Sequence, residues 1–150
     1  MSRETEDLNR RLLRARDAMD RAYAEPLDVS AVAAVAHLSE AHFARCFRTT
    51  FGETPHRYLQ RRRVERSMFL LRETQRSVTD VCLDVGVTSL GTFSRTFRQI
   101  VGETPSAYRL GHGPVVAPHC VQLAAMRPRL AAWETSESSS FGEATAAAAP

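Results

Sequence analysis

Two arginines, Arg45 and Arg95, are the side chains in this chain that are best suited to bind a ligand. Each lies in the same local pattern, Phe-x-Arg-x-Phe-Arg, and the two copies are fifty residues apart. A guanidinium presents a planar fork of donors that fits a pair of acceptors or a phosphate. On a helix, the two phenylalanines of the pattern form a buried face and turn the arginine outward. The outward residues around each arginine are small, so each helix can approach a partner surface closely.

The arginine pattern belongs to a longer internal repeat. Residues 39–58 and 89–108 agree at ten of twenty aligned positions and share the sequence Gly-Glu-Thr-Pro. Such a repeat indicates that one structural unit is used twice. The repeated phenylalanine, glycine, Thr-Pro and tyrosine positions are interpreted as core, helix stop, helix cap and core.

Hydrophobic spacing predicts three helices up to the end of the first copy. Residues 5–24 are predicted to form an amphipathic helix, because apolar residues recur at helical intervals. A proline then ends the helix, since it cannot continue the backbone hydrogen bonds. A short second helix follows and is capped by Asp28 or Ser30. Ser39 caps a third helix, which ends before Gly52.

The same order of elements repeats after a long connecting helix. A threonine cap and the adjacent proline open this helix, which is expected over residues 55–72. A short helix over residues 78–85, a turn at Gly86, a helix capped by Ser89 and a final short helix follow. Each copy is therefore a short helix, a turn and a longer helix, which is the helix-turn-helix unit. The predicted fold class is all-α: a seven-helix tandem helix-turn-helix with two subdomains joined by a long linking helix.

These elements divide the chain into a domain and a C-terminal extension. Residues 1–110 are predicted to be the double helix-turn-helix domain, made of subdomain one (about 5–54), the linking helix (about 55–72) and subdomain two (about 73–110). Residues 111–133 are interpreted as a C-terminal arm. Residues 134–150 are small and polar, which predicts a disordered tail.

The outward faces of the two longer helices predict contact with the bases of DNA. Small side chains let a helix approach the floor of the major groove, where an arginine can bind guanine O6 and N7. The residues expected to read bases are Ala41, Ala44 and Arg45 in the first copy and Gly91, Ser94 and Arg95 in the second. The alternative for Arg45 and Arg95 is a surface salt bridge, but their recurrence in both copies favours base reading.

A second set of residues is expected to contact the DNA backbone. The two cap serines lie at helix N-termini, whose free amides bind phosphate, and the arginines suit phosphate by charge. The set is Ser39, Arg48, Arg62, Thr88, Ser89 and Arg98. For Arg48 and Arg98, ion pairs with the repeated Glu53 and Glu103 explain the sequence equally well.

The run Arg61-Arg62-Arg63 lies within one turn of the linking helix, so its three side chains cannot all point the same way. A solvated helix face is one interpretation of this run. Contact of one or two of these arginines with DNA, or pairing with Glu65 or Glu73, is the alternative.

The linking helix also predicts a spacing. Eighteen residues at ~1.5 Å each span about 27 Å. With the added turns, the two recognition helices come close to the roughly 34 Å between successive major-groove faces. One monomer would then carry both DNA-reading helices. Because these helices differ in sequence, the bound site is expected to be asymmetric.

Composition and residue spacing exclude other classes of protein. The net charge is +3, all 20 basic residues are arginine, and residues 37–110 carry most of the positive charge. No apolar run approaches the roughly 18 residues of a membrane helix, and the charged start shows no secretory signal. The three cysteines, Cys46, Cys82 and Cys120, indicate reduced thiols in a cytoplasm. No zinc spacing, cofactor motif or catalytic constellation is present in the sequence, so neither an enzyme nor a cofactor is expected.

A second hypothesis comes from another functional class. The chain could be a helical interaction module or a small-molecule-sensing module, in which residues 114–133 help to form a pocket. An apolar cavity there, with weak and salt-insensitive binding to DNA, would favour it.

The double helix-turn-helix resembles the AraC/XylS transcriptional regulators. The similarity covers about residues 10–110, and its most specific part is the second copy, Val81-Cys-Leu-Asp-Val-Gly-Val-Thr-Ser-Leu-Gly-Thr-Phe-Ser-Arg-Thr-Phe-Arg followed by Gly102-Glu-Thr-Pro-Ser-Ala-Tyr-Arg109. The resemblance implies seven helices in two subdomains, with each recognition helix in a major groove. It also matches the base-reading positions of the family to the six residues named above.

The chain departs from the family pattern in ways that carry expectations. Val87 stands where the family usually has phenylalanine, which would shrink the second core. The tiny residues at reading positions imply more readout of DNA shape. The sequence leaves no room for the effector-binding barrel of the family, which implies a standalone bacterial member regulated by its abundance or by a partner. On family grounds, RNA polymerase is an expected partner and activation is favoured over repression.

Overall fold

The computed structural model describes residues 2–114, which contain seven α-helices and no strand. In chain order these are α1 (Arg3–Arg21), α2 (Val29–Val35), α3 (Glu40–Phe51), α4 (Pro55–Glu73), α5 (Val78–Asp84), α6 (Leu90–Val101) and α7 (Pro105–Gly111). The predicted all-α, seven-helix tandem helix-turn-helix is confirmed. The predicted tail and most of the predicted arm lie outside the described residues.

Most helix ends follow the caps expected from the sequence. Each predicted cap accepts a hydrogen bond from a backbone N–H three residues later, at Ser39, Thr54, Ser89 and Thr104. Of the two candidates for α2, Asp28 and not Ser30 is the cap. The prediction for the end of α1 was wrong: the helix stops at Arg21 because residues 22–25 turn away from it.

The first subdomain packs α1, α2 and α3 against the N-terminal half of α4. Its buried core consists of Leu12, Ala15, Met19, Val32, Ala33, Ala36, Phe43, Phe47, Tyr58 and Leu59. The ring of Phe47 meets the ring of Tyr58 edge-on, with centroids 5.6 Å apart. Burial of a phenylalanine side chain contributes about 1.5–3 kcal/mol, so this contact anchors α3 to α4.

The second subdomain repeats this packing with α5, α6, α7 and the C-terminal half of α4. Its buried core consists of Val64, Met68, Leu71, Val81, Cys82, Val85, Phe93, Phe97 and Tyr108. The ring of Phe97 meets the ring of Tyr108 edge-on at 5.6 Å, as in the first copy. The repeated phenylalanines and tyrosines are therefore core residues, as predicted.

Helix α4 contributes to both cores from successive segments. Four apolar side chains on one side of the helix are buried: Leu59 lies in the first core, and Val64, Met68 and Leu71 lie in the second. The helix has 19 residues. At ~1.5 Å per residue it spans about 28 Å, so it is a spacer as well as a packing element.

The turn of the second helix-turn-helix is one residue longer than the turn of the first. Residues 36–39 connect α2 to α3, whereas residues 85–89 connect α5 to α6. The left-handed residue is His37 (φ 54°) in the first turn and Gly86 (φ 84°) in the second. Val87 packs against the edge of the second core, and its N–H donates to the Cys82 carbonyl at 3.1 Å.

Candidate nucleic-acid interface

Helix α3 has a buried face that carries the repeated phenylalanines and an opposite face open to solvent. On the open face, Ala41, Arg45 and Arg48 are exposed, and Ala44 is half-buried between them and the core. The arginines are three residues apart, so they lie on the same side of the helix. This side therefore presents two guanidinium groups beside small side chains.

Helix α6 presents the same arrangement. Gly91, Arg95 and Arg98 are exposed, and Ser94 is half-buried. A Cβ added at Gly91 would meet only the hydroxyl of Ser89, at 3.9 Å, so the surface is open at this position. The structure thus places all six predicted base-reading residues on the outward sides of two equivalent helices.

Both α3 and α6 begin with a serine cap. Ser39 accepts from the His42 N–H at 3.4 Å, and Ser89 accepts from the Thr92 N–H at 3.3 Å. Thr88 is exposed and directly precedes the second cap. A cap satisfies one amide of the first turn, and the remaining amides favour an anion. Both ends are therefore chemically suited to a phosphate.

The alternative for Arg48 and Arg98, which was pairing with Glu53 and Glu103, is not observed. Glu53 pairs instead with Arg61, at 2.5 Å, and the carboxylate of Glu103 lies 3.6 Å from Nδ1 of His112. Within residues 2–114, the side chains of the four exposed arginines on α3 and α6 form no ion pair. Their charge is available to a ligand.

Arg61 occupies a partly buried carboxylate cluster. It donates to Glu53 at 2.5 Å and to Glu65 at 2.6 Å. Burial disfavours the charged guanidinium, but hydrogen bonds and charge from these two carboxylates more than offset burial and raise the pKa of Arg61. Arg61 therefore joins α4 to the loop after α3.

Arg62 extends this cluster to α1. It donates to Asp20 at 2.9 Å and to Glu65 at 2.7 Å. Asp20 also accepts from the Tyr58 hydroxyl at 2.7 Å. Burial and this hydrogen bond raise the pKa of Tyr58. The alternative of pairing with Glu65 is thus confirmed, and contact of Arg62 with the DNA backbone stays a prediction.

Four other arginines bind backbone carbonyls across the fold, and these contacts were not predicted from the sequence. Arg11 donates to Ala36 and His37, Arg63 to Tyr23 and Glu25, Arg72 to Gly113, and Arg109 to Leu71 and Arg76. All of these partners are 25 or more residues away along the chain. No sequence signal identifies them, because every residue has a carbonyl.

An open depression of about 530 Å³ lies beside the exposed side of α3. Its lining residues are Val29, Glu40, Ala41, Ala44, Thr54, Pro55 and His56. The small side chains of the two alanines leave this space open. Partial burial, followed by the charges of Arg63 and Arg57, lowers the pKa of His56 and favours its neutral ring. The pocket predicted with residues 114–133 falls almost wholly outside the described residues.

Two other kinds of site are absent from the same part of the chain. Residues 2–114 contain no group of three His, Cys, Asp or Glu side chains placed to hold a metal ion. None of the helices described there combines the length and apolarity of a membrane span.

Comparison with known proteins identifies the same units. A family model described as a helix-turn-helix domain matches residues 32–111. Regulatory protein SoxS of Salmonella typhimurium is 38% identical over 85 residues, which cover 57% of this chain and 79% of that protein. The right origin-binding protein of Escherichia coli is 35% identical over 85 residues, which cover 57% of this chain and 29% of that protein.

Solved structures show the same fold. The DNA-binding domain of AdpA, crystallised with a target DNA, is 31% identical with a TM-score of 0.64, covering 67% of this chain and 90% of that one. An AraC-type regulator from Chromobacterium violaceum is 28% identical with a TM-score of 0.64, covering 68% of this chain and 91% of that one. The matched helix-turn-helix model and these similarities show that the chain belongs to the AraC/XylS family of DNA-binding transcriptional regulators.

Proposed function

We propose that the protein regulates transcription by inserting α3 and α6 into successive major grooves of one asymmetric DNA site. One observation carries this proposal. Arg45 and Arg95 occupy the same exposed position on two recognition helices, and neither has a carboxylate partner within the described residues. An exposed, unpaired arginine among small residues is suited to bidentate binding of a guanine edge.

The two helices would read different bases. In α3, Ala41 and Ala44 leave room for Arg45 to approach the groove floor. In α6, Gly91 and Ser94 flank Arg95, and the serine adds a hydroxyl that can donate or accept. Unlike neighbours around equivalent arginines favour a site whose two halves differ.

Contacts with the phosphate backbone would position each helix without reading sequence. The cap residues Ser39 and Ser89, with Thr88, lie at the helix N-termini. Arg48 and Arg98 lie one turn further along, where their charge can bind phosphate. Arg62 remains in this set as a contact that would add to its pairing within the protein.

The length of α4 supports binding by a single copy of the chain. Its span of about 28 Å, with the flanking turns, is comparable to the roughly 34–36 Å of one turn of B-DNA. One monomer would then occupy two successive grooves. By resemblance to the family, the bound protein would contact RNA polymerase and activate transcription.

Selection of bound sequences from a random double-stranded pool tests this function. The expected product is an asymmetric site with two boxes about one helical turn apart. The full chain carrying both Arg45→Ala and Arg95→Ala is the matched control and should enrich neither box. A palindromic site, a single box, or no enrichment by the unaltered protein would contradict the proposal.

A further inference from the structure

The first part of the loop between α1 and α2 touches both subdomains. This segment, residues 22–25, is named the seam. Tyr23 is partly buried against the core of the first subdomain and also against the core of the second. The seam therefore lies between the two packed units, at a place where α4 is not their only connection.

Arg63 of α4 holds the seam through its backbone. Its Nε donates to the Tyr23 carbonyl at 2.7 Å, and its Nη2 donates to the Glu25 carbonyl at 2.8 Å. Two hydrogen bonds from one planar guanidinium restrict both the position and the tilt of the loop. The seam is thus attached to the middle of the helix that joins the subdomains.

The turn of the second helix-turn-helix lies directly on the seam. A Cβ added at Gly86 would be 2.3 Å from the Ala24 carbonyl oxygen, 2.6 Å from its carbonyl carbon and 2.9 Å from its Cα. All three are backbone atoms, so no flexible side chain can move aside. Gly86 is therefore required by this contact as well as by its positive φ.

Helix α1 connects the seam to the other helix-turn-helix. Arg11 of α1 donates to the carbonyls of Ala36 and His37 at 2.7 and 2.6 Å, in the turn before α3. The two helix-turn-helix turns are thus attached to one continuous segment, which consists of α1 and the seam that follows it. One is bound along α1, and the other rests on the loop that follows it.

We propose that the seam sets the offset between α3 and α6, and thereby the spacing between the two DNA boxes that the protein accepts. This inference rests on the proposed function. A single connecting helix can curve along its length, and a second contact beside it restricts that motion. Shifting one box by one base pair moves it by about 3.4 Å along the DNA and rotates it by roughly 35°. A fixed offset would therefore reject a shifted box.

The experiment measures the affinity of the full chain for DNAs in which the two selected boxes are separated by the preferred spacer or by one or two base pairs more or fewer. Gly86→Asn introduces a side chain against Ala24 at a left-handed position that asparagine tolerates. Gly102→Asn is the matched control, since its φ of 96° is also left-handed but nothing lies within 4 Å of an added Cβ.

For Gly86→Asn, the ratio of affinities at the preferred and shifted spacers should fall by about threefold or more. For Gly102→Asn, it should keep the value of the unaltered protein. Arg63→Met removes both hydrogen bonds to the seam without adding a clash. It should also lower the ratio of affinities at the preferred and shifted spacers. This variant tests the proposal if Gly86→Asn does not fold. Affinity for DNA with one box should change little in any variant.

Two outcomes separate the seam from the function on which it rests. If folded Gly86→Asn and Arg63→Met proteins keep the spacer profile of the unaltered protein, the seam proposal is overturned and the two-groove function stands. If the unaltered protein shows no spacer preference, both proposals are overturned.

Discussion

Arg61 donates to the carboxylate of Glu53 at 2.5 Å and so joins α4 to the loop that ends α3. Glu53 is 5% exposed. The repeat places Glu103 at the equivalent position of the second copy, but eight residues after it the chain has Gly111 and no arginine. The side chain of Glu103 is 37% exposed. Two copies of one sequence motif therefore differ in their electrostatics.

We expect Glu53→Ala to lower the free energy of unfolding by about 2–3 kcal/mol, because it leaves a partly buried guanidinium with only Glu65. The matched variant, Glu103→Ala, should cost less than about 0.5 kcal/mol. Denaturant unfolding of both variants measures the difference. Equal costs would show that the ion pair with Arg61 does not stabilise the first subdomain.

Arg45→Ala and Arg95→Ala should each weaken binding to the selected site by about 1–3 kcal/mol, with little change on random DNA. The reason is the loss of a bidentate contact that only the specific base supplies. Arg14→Ala removes the same charge from an exposed position on α1 and controls for net charge. Titrations at one salt concentration measure all three variants, and losses of equal size on both DNAs would disprove base reading.

The salt dependence of DNA binding distinguishes arginines that contact DNA phosphates from arginines that form ion pairs within the protein. Arg48→Ala should weaken binding on all sequences and reduce the slope of log K against log salt by about 1. Arg62→Ala should lower the stability of the protein by about 1 kcal/mol, because Asp20 and Glu65 lose a partner. If Arg62 also binds phosphate, its removal changes the slope as well. An unchanged slope would remove Arg62 from the DNA interface.

His37→Gly should stabilise the protein by about 0.5–1 kcal/mol, because a non-glycine residue at φ 54° is strained and glycine relieves it. His37→Ala keeps the strain and is the control. Both variants leave the carbonyl of residue 37 in place to accept from Arg11. Thermal unfolding measures the stability of both variants. If His37→Ala is also stabilised, the imidazole side chain and not the backbone conformation destabilises the protein.

The lowered pKa of His56 predicts a dependence of stability on pH. In the folded protein the His56 ring binds a proton less readily than in the unfolded chain. Its contribution to stability is therefore complete above the unfolded pKa of about 6.5. This contribution is lost as the pH falls below that value. His56→Gln should therefore lose less stability than the unaltered protein between pH 7.5 and pH 5.5, in urea titrations. His42→Gln, on the exposed part of α3, is the control, and parallel behaviour of the two variants would contradict the assignment to His56.

Local sequence determined the helices and the faces that they present. Serine, threonine and aspartate caps define where the helices begin, and apolar residues at helical spacing identify the core stripe of α4. Because the phenylalanines of the repeat are buried on one face, Arg45 and Arg95 face outward on the other. These features depend on residues within a few positions of each other, which is the range over which sequence patterns report backbone geometry.

Only the tertiary structure decided which partners the internal arginines bind and where the two subdomains meet. Arg62 donates to Asp20, which is 42 residues away along the chain, and Arg63 donates to the carbonyl of Tyr23, which is 40 residues away. Tertiary packing also decided where α1 ends, at Arg21, and the contact of Gly86 with Ala24. Backbone carbonyls carry no residue identity, so these long-range contacts depend on how the helices pack and not on a local sequence pattern. The sequence therefore determined α3 and α6 and their exposed faces, and the fold decided how these two helices are held relative to each other.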